Sequence, residues 1–366
     1  MTAVVQGVVG VVLFLVIIGA RVLVHEVGHF VAARRAGVRV QEFGIGMPPR
    51  ALVLRSVGET LYTLNWLPIG GFVKLEGEDG DSNDPRSFGH APLLVRLAIL
   101  VAGVVMNLLL ALGLMLVVAG LPQQEIAVQI GGVQAGSPAA AAGLTAGMRI
   151  VSVDGRRYDR IDQPIAIVDD LRARAGRQVT LGLVDVSGAP LTVTTTLRSP
   201  DQLSKDKGAL GVTDLKAVVL DQTFTRTPTD ALATGLNRTV GAFRLILDGL
   251  GQVASAIATR PTSAPPVAGP VGIAQEVSVV FWQAGPVAPL YVVALLSANL
   301  ALVNILPFPP LDGGRMLMLL IKAVVGKRVS VRAEQLTYVV GFAFLLTFLL
   351  WVTVFDVARL FNGTVP

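Results

Sequence analysis

The chain contains three histidines, and two of them stand four residues apart in His25-Glu26-Val27-Gly28-His29. On a helix, residues i and i+4 share a face, so both imidazoles can bind one Zn²⁺. Glu26 sits beside them, where it can take a proton from a water held by that ion. The spacing points to metal-assisted hydrolysis, with His25 and His29 as ligands and Glu26 as general base. The pentapeptide also occurs by chance in soluble proteins. Here it ends a long apolar run, and ionisable residues at membrane depth are costly and usually functional. His90 lies in a polar loop and reads as a surface histidine.

Two imidazoles leave such an ion in need of a third protein ligand, with water in the fourth position. Among the carboxylates near other apolar runs, Asp312 stands out, inside Asn304-Ile305-Leu306-Pro307-Phe308-Pro309-Pro310-Leu311-Asp312-Gly313-Gly314. Prolines and glycines interrupt an apolar helix at this point. Irregular backbone at membrane depth is tolerated where it is buried in protein or lines a wet cavity, and an active site is such a place. Asp312 is therefore the expected third ligand; a plain helix cap is the alternative role. Asn304 could hydrogen-bond a substrate backbone or a developing oxyanion, or make a structural bond within the bundle.

These residues need apolar elements to hold them. Of the 366 residues, 52% are hydrophobic and 15% charged, against about a quarter charged in soluble domains, and the mean hydropathy is +0.66. The net charge is +5, but Lys and Arg form no dense run with interleaved aromatics, which argues against nucleic acid. There are no cysteines, so disulfides and thiolate metal sites are excluded.

At least four stretches match the roughly 20 residues that a bilayer core demands: about 3–33, 93–121, 288–305 and 336–355. The run 316–325 continues the third after its break. The first has no basic residue before Arg21 and no clear cleavage site, so it reads as a retained span rather than a signal peptide. Arg34, Arg35, Arg39, Arg50 and Arg55 follow the first span, and Lys322, Lys327, Arg328 and Arg332 lie between the last two. The positive-inside rule puts both loops in the cytoplasm, with the long 122–287 segment and both termini outside. A β-hairpin is expected at 51–55 and 60–66, with a break at Leu67–Gly71 and a third strand at 72–75. The outer segment reads as a compact α/β domain with strands at 150–153, 179–184 and 191–196 and a helix near 165–173. An amphipathic helix follows over 229–259, lying on the membrane surface or packed against that domain.

The order and spacing of HEVGH, Leu67-Pro68-Ile69-Gly70-Gly71-Phe72-Val73-Lys74-Leu75-Glu76-Gly77-Glu78, the GxxxN run Gly103–Asn107 and the Asn304–Gly314 segment resemble the site-2 protease family of intramembrane zinc metalloproteases. Within it, the resemblance is to the bacterial regulator-of-sigma-E-protease type. It implies a polytopic α-helical membrane protein with a membrane-associated β-hairpin and one inserted extracytoplasmic PDZ domain. The PDZ assignment rests on Gly136–Leu144 followed by Gly147–Gly155. Gly269–Ala274 is another family-like segment.

The implied organisation is 1–36 first span with the zinc motif, 37–92 cytoplasmic re-entrant β-loop, 93–121 second span, 122–200 PDZ domain, 201–287 amphipathic helix and linker, 288–326 third span, and 327–366 fourth span. The resemblance implies zinc on His25, His29 and Asp312, Glu26 as catalytic base, and substrate-side roles for Asn304, Asn107, Gly70 and Gly71. It further implies membrane-spanning protein substrates of the anti-sigma or signal-peptide-remnant kind, cut in a bacterial inner membrane near the cytoplasmic face. The rival readings are a non-catalytic membrane PDZ adaptor with a structural metal, and a metal or proton transporter. A closed four-ligand site would favour the adaptor, but no cysteine or spare histidine is at hand to close it, and no inverted repeat supports the transporter.

Overall fold

The computed structural model describes residues 3–78, 82–159, 163–204, 207–259, 264–284, 287–325 and 331–362. They fall into two compact units, Met1–Ala119 with Asp230–Pro366, and Gly120–Thr229.

The first unit is built on helices. Apolar sequence carries α1 (Ala3–Arg35) and α2 (Leu93–Gly120) without a break, and α1 ends at its two arginines. Then come α5 (Pro228–Thr259), α6 (Pro270–Ala284), α7 (Ala288–Ile305), α8 (Asp312–Val325) and α9 (Val331–Asn362). Among the described residues five helices are long and apolar enough to cross a membrane: α1, α2, α5, α7 and α9. The expected four are among them, and the addition is α5. Its small residues Thr234, Gly235, Thr239 and Ala242 are buried. Ala242 shares a core with Ala111 and Met115 of α2 and Ala294 and Ala298 of α7. The helix expected at 229–259 thus packs on the membrane unit. Helix α6 was not anticipated; Asp356 of α9 accepts from the Gly272 backbone N–H at 2.8 Å in its first turn.

Between α1 and α2 lies the hairpin, but its strands are longer than expected: β1 (Val40–Val57) and β2 (Thr60–Leu75). The expected break at Leu67–Gly71 is a bend inside β2. Residues 42–45 of β1 pair with 61–64 on one side and 71–74 on the other, so the ribbon curls over itself. This leaves 71–75 as an edge. The ribbon climbs along α1, where a Cβ on Gly70 (φ +74°) would meet Val22 Cγ1 at 3.0 Å. Close to the bend it exposes Leu64, Trp66, Leu67 and Ile69.

Pro307, Pro309 and Pro310 end α7, since proline lacks the N–H a helix needs. Leu306 turns extended, and α8 restarts at Asp312, whose carboxylate suits a helix N-terminus. Backbone packs tightly here: Cβ atoms on Gly313, Gly314 and Gly341 would collide with the main chain of Leu306, Phe308 and Pro309 respectively.

The second unit is a six-stranded antiparallel sheet made of β3 (Gln123–Gln129), β5 (Arg149–Val153), β6 (Arg156–Asp159), β7 (Gln178–Val184), β8 (Pro190–Thr196) and β10 (Lys216–Phe224). Their order is β10-β3-β6-β5-β7-β8. In β7, Val179, Leu181 and Leu183 are buried while their neighbours are less so, the alternation of a half-buried strand. Helix α3 (Pro138–Ala141) is capped by the Ser137 side chain, and α4 (Gln163–Ala173) buries Ile167 and Leu171 in the core. The three expected strands and the helix are present. The unit does not end at residue 200: β9 (Val212–Thr213) pairs with β4 (Gly132–Val133), and β10 returns to pair with β3. Residues assigned to a linker close the sheet.

Candidate metal centre

Helix α1 places His25 and His29 one turn apart and buried. Their rings meet edge to face, centroids 4.6 Å apart, and their Nε2 atoms lie 3.1 Å apart. Asp312 Oδ2 arrives from the start of α8 at 3.0 Å from His25 Nε2 and 3.5 Å from His29 Nε2. Although so close, Asp312 Oδ2 makes no directed hydrogen bond and is shielded from solvent. Three lone-pair atoms thus converge on one point. Ligands at zinc distances of 2.0–2.2 Å in a tetrahedron stand roughly 3.3 Å apart, and the observed separations bracket that figure. A metal ion fits this group. Among the described residues the group has these three members.

Each ring is held from behind. His29 Nδ1 lies 2.8 Å from the Ile99 carbonyl of α2, so its proton sits there and Nε2 presents a lone pair. His25 Nδ1 lies 3.1 Å from the Asn107 side-chain amide, whose Oδ1 is otherwise unpartnered. An imidazole offering Nε2 to a metal carries its proton on Nδ1, so the near-isosteric amide must turn its oxygen toward it. Asn107 is fully buried. Gly103, one turn earlier, makes room: a Cβ there would come within 2.5 Å of His29 Nε2. The GxxxN spacing is explained by two imidazoles.

Glu26 Oε2 accepts from the Val73 backbone N–H at 3.1 Å, so the free edge of β2 orients the carboxylate. A cavity of about 500 Å³ opens on these groups, lined among others by His25, Glu26, His29, Gly71, Val73 and Asp312. Asn304, at the end of α7, brings Nδ2 to 3.3 Å from His25 Nε2.

Of the sequence-predicted residues, the structure brings together His25, Glu26, His29, Asn304 and Asp312, with Gly71 on the cavity wall. Gly70 faces Val22 of α1, and Asn107 stands behind His25. His90 is apart from the group, bonded to Ser87 at 2.7 Å. Sequence reasoning missed the Val73 N–H, the Ile99 carbonyl and the ion pair between Arg315 and Glu78 at the cavity rim. Backbone partners leave no trace in residue type. The LEGE run and the arginine three positions after Asp312 were visible but could not be paired without the fold.

Apolar spans around a buried two-histidine, one-carboxylate group with an adjacent glutamate define a multi-pass membrane protein with a metallohydrolase-type centre. The profile of Peptidase family M50 matches residues 13–348. The chain belongs to that family and is a metallopeptidase. It is similar to proteins named as zinc metalloproteases: one of Clostridium acetobutylicum at 32% identity (94% of this chain, 96% of that one), one of Brucella suis at 30% (92% of each), and RasP of Geobacillus kaustophilus at 27% (95% and 97%).

Proposed function

We propose that the chain is a zinc-dependent endopeptidase that cuts membrane-spanning segments of other proteins inside or at the edge of a bacterial inner membrane. One observation carries the reading: the His25–His29–Asp312 group converges at ligand separations next to Glu26. Zinc bound there supplies Lewis acidity and lowers the pKa of water. His25 and His29 keep their protons on Nδ1, fixed by Asn107 and Ile99. Glu26 removes a proton from the attacking water and delivers it to the leaving amide nitrogen. Asn304 Nδ2 donates to the carbonyl oxygen as charge develops on it.

A helical substrate hides its peptide bonds, so it has to be unwound before it is cut. The 71–75 edge of β2 lines the cavity and offers backbone groups for an extended partner. Gly71 lets the edge close on β1 and α1, since a Cβ there would meet the Gly44 carbonyl oxygen at 2.8 Å and Glu26 Cγ at 3.9 Å, while Gly70 serves the bend that aims the edge. Asn107 acts through His25 rather than on substrate. The Gly120–Thr229 unit, with its cap at Ser137 and tight turn at Asp154-Gly155, fits an extracytoplasmic PDZ-type domain that filters substrates such as anti-sigma factors or signal-peptide remnants in regulated intramembrane proteolysis. The open ligand set favours catalysis over a structural-metal adaptor.

The test is Glu26→Gln in purified full-length protein with a transmembrane peptide substrate. Zinc content stays at the wild-type level and cleavage falls below detection. Retained cleavage would refute the assignment of the base.

A further inference from the structure

We propose that Arg21 is a positioning residue for the metal centre, a guanidinium tie from α1 to α7 that holds the two halves of the ligand set in register. The proposal rests on the metal centre described above.

Arg21 lies one turn before His25 on the same face of α1. It is the one arginine or lysine of α1 ahead of the pair that ends the helix, Arg34 and Arg35. Its Nη1 donates to the Leu296 carbonyl of α7 at 2.6 Å. Its Nε is buried with no acceptor among the described residues, and no described carboxylate forms an ion pair with it. A charge at membrane depth without a counter-ion is costly, and an aliphatic residue would fill the same space at lower cost. What an aliphatic residue cannot do is donate to a backbone carbonyl, and the charged donor makes that bond strong.

The bond falls where it matters for the ligands. His25 and His29 belong to α1, while Asn304 and Asp312 hang from the end of α7, nearly 300 residues later in the chain. Between α1 and α7 the apolar contact gathers in one cluster, Ile17 and Leu296 with Val277, and Leu13, Val292 and Val293 pack against it. In lipid, apolar packing between helices has no hydrophobic drive behind it, and close van der Waals packing and interhelical hydrogen bonds hold helices together. Leu296 precedes Asn304 by two turns, about 12 Å of rise. Arg21–Leu296 and His25–Asn304 are thus successive rungs between the same two helices, the first setting the axial position of α7 and the second reading it out at the site. Without the first rung α7 can slide, and Asp312 moves off the imidazole pair.

The test uses the full-length protein in detergent, with Zn²⁺ affinity measured by chelator competition, Co²⁺ substitution read by its visible spectrum, and kcat and KM on a transmembrane peptide. Arg21→Met is expected to weaken Zn²⁺ binding by about 10- to 100-fold, the range for residues that orient ligands. It should also alter the Co²⁺ spectrum and lower kcat with little change in KM. Wild-type zinc affinity with a loss confined to KM would overturn the proposal by making Arg21 a substrate contact. Equal or tighter zinc binding would also overturn it, by showing that the charge merely opposes the metal. If Arg21→Met does not survive purification, Arg21→Gln replaces it. This variant loses the charge and the reach to the Leu296 carbonyl, so weaker Zn²⁺ affinity is expected, and wild-type affinity and spectrum would contradict the tie. Failure of the wild-type protein to bind zinc would instead sink the metal centre itself.

Discussion

In the unit formed by Met1–Ala119 and Asp230–Pro366, the least exposed side chains include His25, His29, Asn107 and Ser297, while Val16, Leu109 and Leu350 face outward. In the Gly120–Thr229 unit Ile126, Ile150, Tyr158 and Leu181 fill the centre. Both units bury ionisable groups, but they treat them differently. The second unit pairs them, Asp159 with Arg226 at 2.9 Å and Glu125 beside Arg157. The first unit turns three lone-pair atoms on one another at His25, His29 and Asp312 with no directed bond to Asp312 Oδ2. Buried acids held by arginines satisfy their charge within the fold, whereas three convergent lone-pair atoms offer a cation its ligands. The apolar exterior around them tells which solvent each unit was built for.

That contrast breaks most visibly at His25. His25→Ala removes a ligand, and both zinc and activity are expected to fall below detection; zinc bound at wild-type stoichiometry would end the comparison. Gly103→Ala comes next, because its Cβ would press on His29 Nε2. Zinc affinity should drop by about 100-fold, the upper end of what orienting residues cost, as measured by chelator competition. Asn107→Leu leaves the His25 Nδ1 proton without an acceptor, and a 10- to 100-fold loss is expected. Asn107→Asp, which keeps an acceptor, should recover most of it.

The second unit should answer differently. Leu181→Ala is expected to cost about 2–5 kcal/mol of that unit's stability, read by denaturant unfolding, with zinc affinity unchanged. Tyr158→Phe deletes a 2.6 Å bond to Asp170 and should cost about 1 kcal/mol, again with no effect on metal. A metal response to either change would show that the units are not energetically separate.

How much of this was legible in residue types alone follows the same division. HEVGH is legible because a helix converts a spacing of four into a shared face, and the Pro-rich break is legible because proline cannot continue α7. Span boundaries also came close: 288–305 matches α7 throughout. The curl of the hairpin was not legible, since residues 42–45 look like one strand and serve two pairings. Nor was the end of the second unit, because β10 finds β3 across almost 90 residues and its sequence Lys216–Phe224 carries no mark of that partner. The role of Asn107 lay hidden for a related reason. Its spacing from Gly103 is visible in the sequence, but only the packing of α2 on α1 brings both against the imidazoles. Arg21 enters the sequence reading only as the first basic residue, in taking the first span as retained, and its partner is a backbone carbonyl with no signature in the sequence.

The central claim is a single zinc ion shared by two imidazoles of α1 and a carboxylate of α8. X-ray absorption at the zinc edge of the purified protein, wild type beside Asp312→Ala, tests it directly. One zinc per chain is expected, with two imidazole nitrogens and oxygen in the wild-type shell, and in the variant an emptied site or a shell that has lost one oxygen. A wild-type shell that survives loss of Asp312 unchanged would contradict it.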